Sequence, residues 1–223
     1  MSDAPRLKVL DVRLYERPVR LRLPFRFGVI TLREAPQAFA RVLVQGEDGR
    51  EAWGAAAEML VPKWFDKSPE LSNAENIAHL RRAAHNAARL YREAGPQTAW
   101  GLFAASYESH VAQCAEAGMN GLVAGFGTAL LDRAVLDALC RLAGVSVFDA
   151  IRANLPALQW DGLDMAGFLA SRPKPATIAI RHTIGMVDPL DDDDRTPETD
   201  IADGLPVTLE EVIAAYGNRY FKI

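Results

Sequence analysis

The stretch GTALLDRAVLDALCRLAGVSVF, residues 127–148, decides how the rest of the chain is read. From Thr128 to Ala143 charge is confined to Asp132, Arg133, Asp137 and Arg141, and the last three recur at i, i+4. Nearly every other position is Leu, Val, Ala or Cys, so the pattern predicts a helix buried on most of its sides. Gly144 supplies the stop, and Ser146 is placed to cap a short helix running through Ile151.

Upstream of this helix two more are expected. Ser72-Asn73-Ala74-Glu75 matches a capping box, followed by Ile77, Leu80, Ala84, Ala87 and Tyr91 at helical spacing and a stop at Gly95-Pro96. A second helix is read from Thr98 to about Ala117, closed by Gly118. Before Ser72 the period changes to two. Lys8 to Tyr15 reads as a strand, and Ala38 to Val44 and Glu51 to Ala55 flank the turn residues Gln45 to Gly49, predicting an antiparallel hairpin. Leu21 to Ile30, with its aromatics, Pro24 and Gly28, reads as a loop whose apolar side chains must be covered by core or ligand.

Downstream, beyond Pro173 and Pro175, Thr177 to Met186 reads as a strand. An acidic loop from Asp188 to Asp203 leads to a second capping box, Thr208-Leu209-Glu210-Glu211, opening a helix that stops near Gly217. Tyr220 to Ile223 reads as another strand. Strand, helix, strand in that order is a βαβ unit, whose two strands are parallel.

Composition narrows the function classes. Of 223 residues 49% are apolar and 24% charged, enough for a packed core. The net charge of −4 argues against nucleic acid or an anionic membrane as partner. No apolar run approaches the ~18 residues a membrane span needs, and Met1 to Pro5 lacks the basic head of a secretory signal. A soluble, cytoplasmic protein is expected. Cys114 and Cys140 sit in apolar helical stretches outside any CxxC and read as buried small hydrophobes in a reducing compartment. No GxGxxG, P-loop, GxSxG or HExxH occurs.

An antiparallel sheet, then helices, then a βαβ start resembles the mandelate racemase and muconate lactonizing branch of the enolase superfamily. Three passages carry the resemblance: Ala52-Trp53-Gly54-Ala55-Ala56-Ala57-Glu58 as the capping-domain segment, with Ala55 where a glutamate is usual; Gly127 to Leu139 through Gly144 to Phe148 as the linker helix and turn; and Arg181 to Met186 with Tyr220 to Ile223 as the first two barrel strands. The fold class implied is an α+β capping domain joined to the first strands of a truncated (β/α) TIM-type barrel. Its domains would be 1–125, the cap, and 126–223, the linker helix and incomplete barrel start. Residues 104–124 and 161–174 are longer than the family needs.

The resemblance also implies a chemistry. Family members abstract a proton alpha to a carboxylate and stabilise the enediolate on Mg²⁺, because a weakly acidic carbon gives up its proton only where strong positive charge meets the developing oxyanion. Barrel residues that do such work lie at the C-terminal ends of strands. Lys222 aligns with the first lysine of the family's Lys-x-Lys and is the expected catalytic residue. Phe25, Phe27, Ile30 and Met59 fall where the cap reaches over substrate. The Mg²⁺ ligands belong to later strands, so no metal-binding residue is assigned in this chain. Two strands cannot close a barrel, and a chain of this extent is expected to be catalytically incomplete. A small carboxylate substrate and a homo-oligomer are the expected partners. The rival reading is a non-catalytic α+β module that binds a partner or self-associates.

Other candidates have plainer readings. Trp64 and Phe65 either shield a ligand or staple the cap. Asp191 to Asp194 read as a solvated turn in preference to a cation site. His79, His85 and His110 are expected to be structural, as is His182 despite its place in the first barrel strand.

Overall fold

Residues 4–223 are described here by a computed structural model. Met1 to Asp3, where the secretory-signal expectation begins, lie outside the described residues. The chain forms two units: Met1–Arg17 with Pro36–Lys174, and Pro18–Ala35 with Pro175–Ile223. Strands β1 (Leu7–Phe27) and β2 (Ile30–Gly46) contribute to both.

In the first unit β2 is the central strand, flanked by β1 and by β3 (Glu51–Met59). β2 and β3 are antiparallel, with Val42 opposite Gly54 and Leu43 opposite Trp53. Side chains alternate across a strand, so Ala38, Ala40, Val42 and Val44 share one face, and all four are buried. The helices are α1 (Asn73–Glu93), α2 (Ala99–Glu116), α3 (Gly121–Ala143), α4 (Val147–Arg152) and α5 (Met165–Ala170). Ser72 and Glu75 form the expected capping box, Ser72 Oγ accepting from the Glu75 N–H and the Glu75 carboxylate accepting from the Ser72 N–H at 2.7 Å. Thr98 and Asn120 cap α2 and α3, and Gly144 closes α3 in the left-handed conformation that glycine adopts without strain.

α3 packs on both β3 and α1, and two glycines allow it to come close. A Cβ on Gly54 would lie 2.1 Å from the Ala134 carbonyl oxygen, and one on Gly127 would lie 2.4 Å from the Ala83 carbonyl oxygen. Alanines fill the same seams: Ala83, Ala84 and Ala87 on α1, Ala134 and Ala138 on α3, all buried. Leu80, Leu102, Leu130, Leu131 and Leu139 complete the core. The charged stripe is where the sequence puts it. Arg133 pairs with Glu58 at 3.1 Å and Arg141 with Asp137 at 3.0 Å.

In the second unit the remainders of β1 and β2 meet at the two-residue turn Gly28-Val29. β4 (Arg181–Thr183) and β5 (Tyr220–Lys222) pair in parallel, with α6 (Leu209–Tyr216) between them in sequence. The βαβ expectation therefore holds. Thr208 and Glu211 form the second capping box, and Gly217 stops α6. Arg22 binds both carboxylate oxygens of Asp203 at 2.6 Å and the carbonyls of Leu205 and Pro206, fixing the loop that enters α6.

Four expectations change. Leu21 to Ile30 is not a loop. Val19, Leu21, Leu23, Phe25 and Phe27 alternate with polar or cyclic residues, and the segment continues β1 as an edge strand where Pro24 costs no ladder bond. α3 begins at Gly121, seven residues before Thr128, because the Asn120 cap and buried Val123, Ala124 and Phe126 outweigh the helix-weakening Gly121 and Gly125. The first barrel-like strand shrinks to Arg181–Thr183, limited by its three-residue partner, and Ile178 and Ile180 are exposed. Residues 165–170, given no element from the sequence, form α5 on the Asp164 cap. Within the first unit α3 buries its apolar sides against α1 and β3.

Candidate functional site

β4 and β5 end together. Thr183 stands opposite Lys222, and the Lys222 carbonyl accepts the Ile184 N–H at 2.9 Å. Alternation gives this two-stranded sheet two different faces. His182 and Phe221 are half-buried, and His182 lines a small cleft with Leu209, Val212 and Tyr216 of α6. Arg181, Thr183, Tyr220 and Lys222 point the other way and are exposed. Lys222 thus lies at a strand end on the face away from the helix, and His182 on the face toward it.

Phe25 is held at the same end of β4. A Cβ on Gly185, two residues past the strand, would meet the Phe25 ring at 2.9 Å, and the Met186 N–H donates to the Arg26 carbonyl at 3.1 Å. The Gly185 N–H in turn donates to Asp188 at 2.7 Å, which tightens this turn. Phe27 is two residues along β1 on the face that Phe25 occupies, their ring centres 5.9 Å apart. Ile30, half-buried, opens β2. Met59 belongs to the first unit, opposite Gln37 at the end of β3 and on the sheet face away from Val42. Phe65 meets Phe126 edge-on at 5.2 Å and packs against the core of the first unit, whereas Trp64 is 48% exposed.

The buried titratable groups serve packing. His110 is fully buried, its Nε2 donating to the Ala124 carbonyl at 2.9 Å while Nδ1 accepts from Asn86 at 3.1 Å. Burial holds its pKa below the usual histidine range, so it is the neutral imidazole that ties α1, α2 and α3. Cys114, at i+4, lies 3.6 Å from its Nε2. Burial pushes both thiols up, consistent with inert cysteines. Tyr91, also fully buried, donates its hydroxyl to Asp132. Burial raises the Asp132 carboxyl to about 6 although Tyr91 favours its charged form. Sequence reasoning missed both of these cross-helix pairs, because each needs two helices in register. Asp191 caps a 3-10 turn over Asp192–Asp194, in keeping with the turn reading. Among the described residues no group of three or more His, Cys, Asp or Glu could hold a metal ion, so the described residues do not by themselves make up a Mg²⁺ site. Among the described residues no helix is long and apolar enough to cross a membrane.

Comparison with known proteins places this geometry beside solved structures. No protein-family model and no curated protein matches the chain. An enolase from alpha-proteobacterium BAL199 with bound Mg is 20% identical over 65% of this chain and 34% of its own, with a TM-score of 0.44. An enolase from Bradyrhizobium complexed with magnesium and mandelic acid is 17% identical over 66% and 35%, with a TM-score of 0.42. The L-Ala-D/L-Glu epimerase from Bacillus subtilis is 16% identical over 65% and 34%, with a TM-score of 0.38. The chain spans about a third of the length of these three structures.

Proposed function

We propose that this chain is the cap and barrel-start portion of a Mg²⁺-dependent enolase-superfamily enzyme, one that abstracts the proton alpha to a carboxylate as a racemase, epimerase, cycloisomerase or acid-sugar dehydratase. The reading is carried by one observation. A three-stranded antiparallel sheet and its helices precede a parallel β4–α6–β5 unit whose second strand ends in Lys222, on the face away from α6.

A lysine ammonium at that position suits the chemistry. Negative charge builds on the substrate carboxylate as the α-proton leaves, and a fixed cation beside it lowers the cost of that charge. Phe25 and Phe27 offer apolar surface beside the same strand end, against which the carbon skeleton packs and from which water is displaced. Ile30 and Met59 are assigned to the substrate by the resemblance alone. Bound Mg²⁺ would supply Lewis-acid stabilisation, but its ligands are not among these residues. By itself the 223-residue chain does not turn over substrate.

Proton exchange tests the reading. In ²H₂O with Mg²⁺, NMR follows loss of the α-proton signal from a panel of carboxylates. The product of the full reading frame exchanges it, the 223-residue chain does not, and Lys222→Met slows exchange at least about 10²-fold with unchanged circular dichroism. Exchange by the 223-residue chain, or undiminished exchange in Lys222→Met, contradicts the proposal.

A further inference from the structure

We propose that the outer face of the three-stranded sheet in the first unit docks a second copy of this chain, which sets its acidic segment 188–203 against the arginines there. The inference does not depend on the enzymatic reading.

The face is built from cations laid on aromatic rings. Arg13 and Arg41 place their guanidinium carbons 4.9 and 4.5 Å from the centre of the Trp53 ring, and Arg17 lies 5.5 Å from that of Phe39. The β2–β3 register puts Phe39, Arg41 and Leu43 opposite Ala57, Ala55 and Trp53, all on the face away from buried Ala40, Val42 and Val44. Tyr15 of β1 is 47% exposed. Arginine, tryptophan and tyrosine are the residues that dominate binding energy at protein interfaces. Ala55 and Ala57 between them leave room for close approach.

Charge identifies the occupant. Arg13 is held by Asp11 at 2.8 Å and Arg17 by Gln37 at 3.1 Å, but the Arg41 guanidinium makes no hydrogen bond or ion pair among the described residues. Held over the ring, its guanidinium keeps unpaired N–H groups, which match a carboxylate bidentately. Segment 188–203 carries eight acidic residues against one base, Arg195, and of these Asp203, Glu198 and Asp192 are already paired with Arg22, Arg33 and Arg195. The carboxylate of Asp193, on the exposed 3-10 turn, has no hydrogen bond or ion pair among the described residues. Two copies of the arginine face would repel one another, so it must meet a different, acidic surface. The chain's net charge of −4 disfavours a nucleic acid in that place.

Sedimentation velocity on the full chain tests this at about 0.1 M and about 1 M salt, where the screening length falls from ~10 to ~3 Å. The expected result is a dimer at the lower salt that weakens at the higher. Arg41→Glu and Asp193→Lys each raise the dissociation constant at least about tenfold, and the double variant returns to near the wild-type value, a recovery misfolding cannot produce. Arg41→Gln, which keeps the aliphatic stem over Trp53, weakens the dimer in the same direction. A monomer at both salts overturns the proposal, as does a dimer that none of these variants affects. A monomer that binds a single-stranded oligonucleotide through Arg41 overturns it too.

Discussion

Gly54 and Gly127 have no side chain because the backbone of a neighbouring helix occupies the space one would need. The atoms a methyl group would strike are the Ala134 and Ala83 carbonyl oxygens, which belong to helices and cannot move aside separately. Either Gly54→Ala or Gly127→Ala is expected to lower stability by about 1–3 kcal/mol or more, read from the urea midpoint. An unchanged midpoint would mean that α3 is not seated on β3 and α1. Asp132 makes a second residue-scale prediction. Its folded carboxyl lies at about 6 against an ordinary 3.8, so between those values the native state holds a proton the unfolded state has released. Stability is therefore lost as pH rises through that window. Asp132→Asn keeps the acceptor for Tyr91 and removes the charge. Its stability relative to wild type should climb by about 1–3 kcal/mol between roughly pH 4 and pH 6 and then level off. A difference independent of pH would exclude this account of Asp132.

Elements were legible where their ends carry chemistry. Ser72 with Glu75 and Thr208 with Glu211 announced α1 and α6 by reciprocal hydrogen bonds that need no tertiary context. Ser72→Ala accordingly should cost about 1 kcal/mol, seen as a lower melting temperature, and Ser72→Asp should restore most of it. The misread elements are those whose limits are set by neighbours. Gly121 and Gly125 look like breakers, yet α3 runs through them because its first turns bury Val123, Ala124 and Phe126. Leu21 to Phe27 alternates throughout, but Pro24 and Gly28 suggested a loop; only an edge position makes that proline acceptable in a strand. β4 is short because β5 gives it three partners, a limit written in a segment 37 residues away.

For the whole chain, the order of sheet, helices and parallel βαβ unit was readable from period and punctuation alone. The division into two units was not, because it follows which surfaces bury one another. The candidate site was legible only in part. Lys222 and Phe25 come to one strand end in the second unit, whereas Met59 lies in the first, and the cross-helix pairs of Tyr91 with Asp132 and His110 with Asn86 left no local pattern. The central claim is that a β4–α6–β5 unit with an exposed inner face begins a barrel. The most direct test is the intact mass of the protein from its native source, set beside its reading frame. The account predicts a mass well above 24.4 kDa, a lysine immediately after Ile223, and carboxylates at the ends of three later strands. A folded monomer of 24.4 kDa would contradict it.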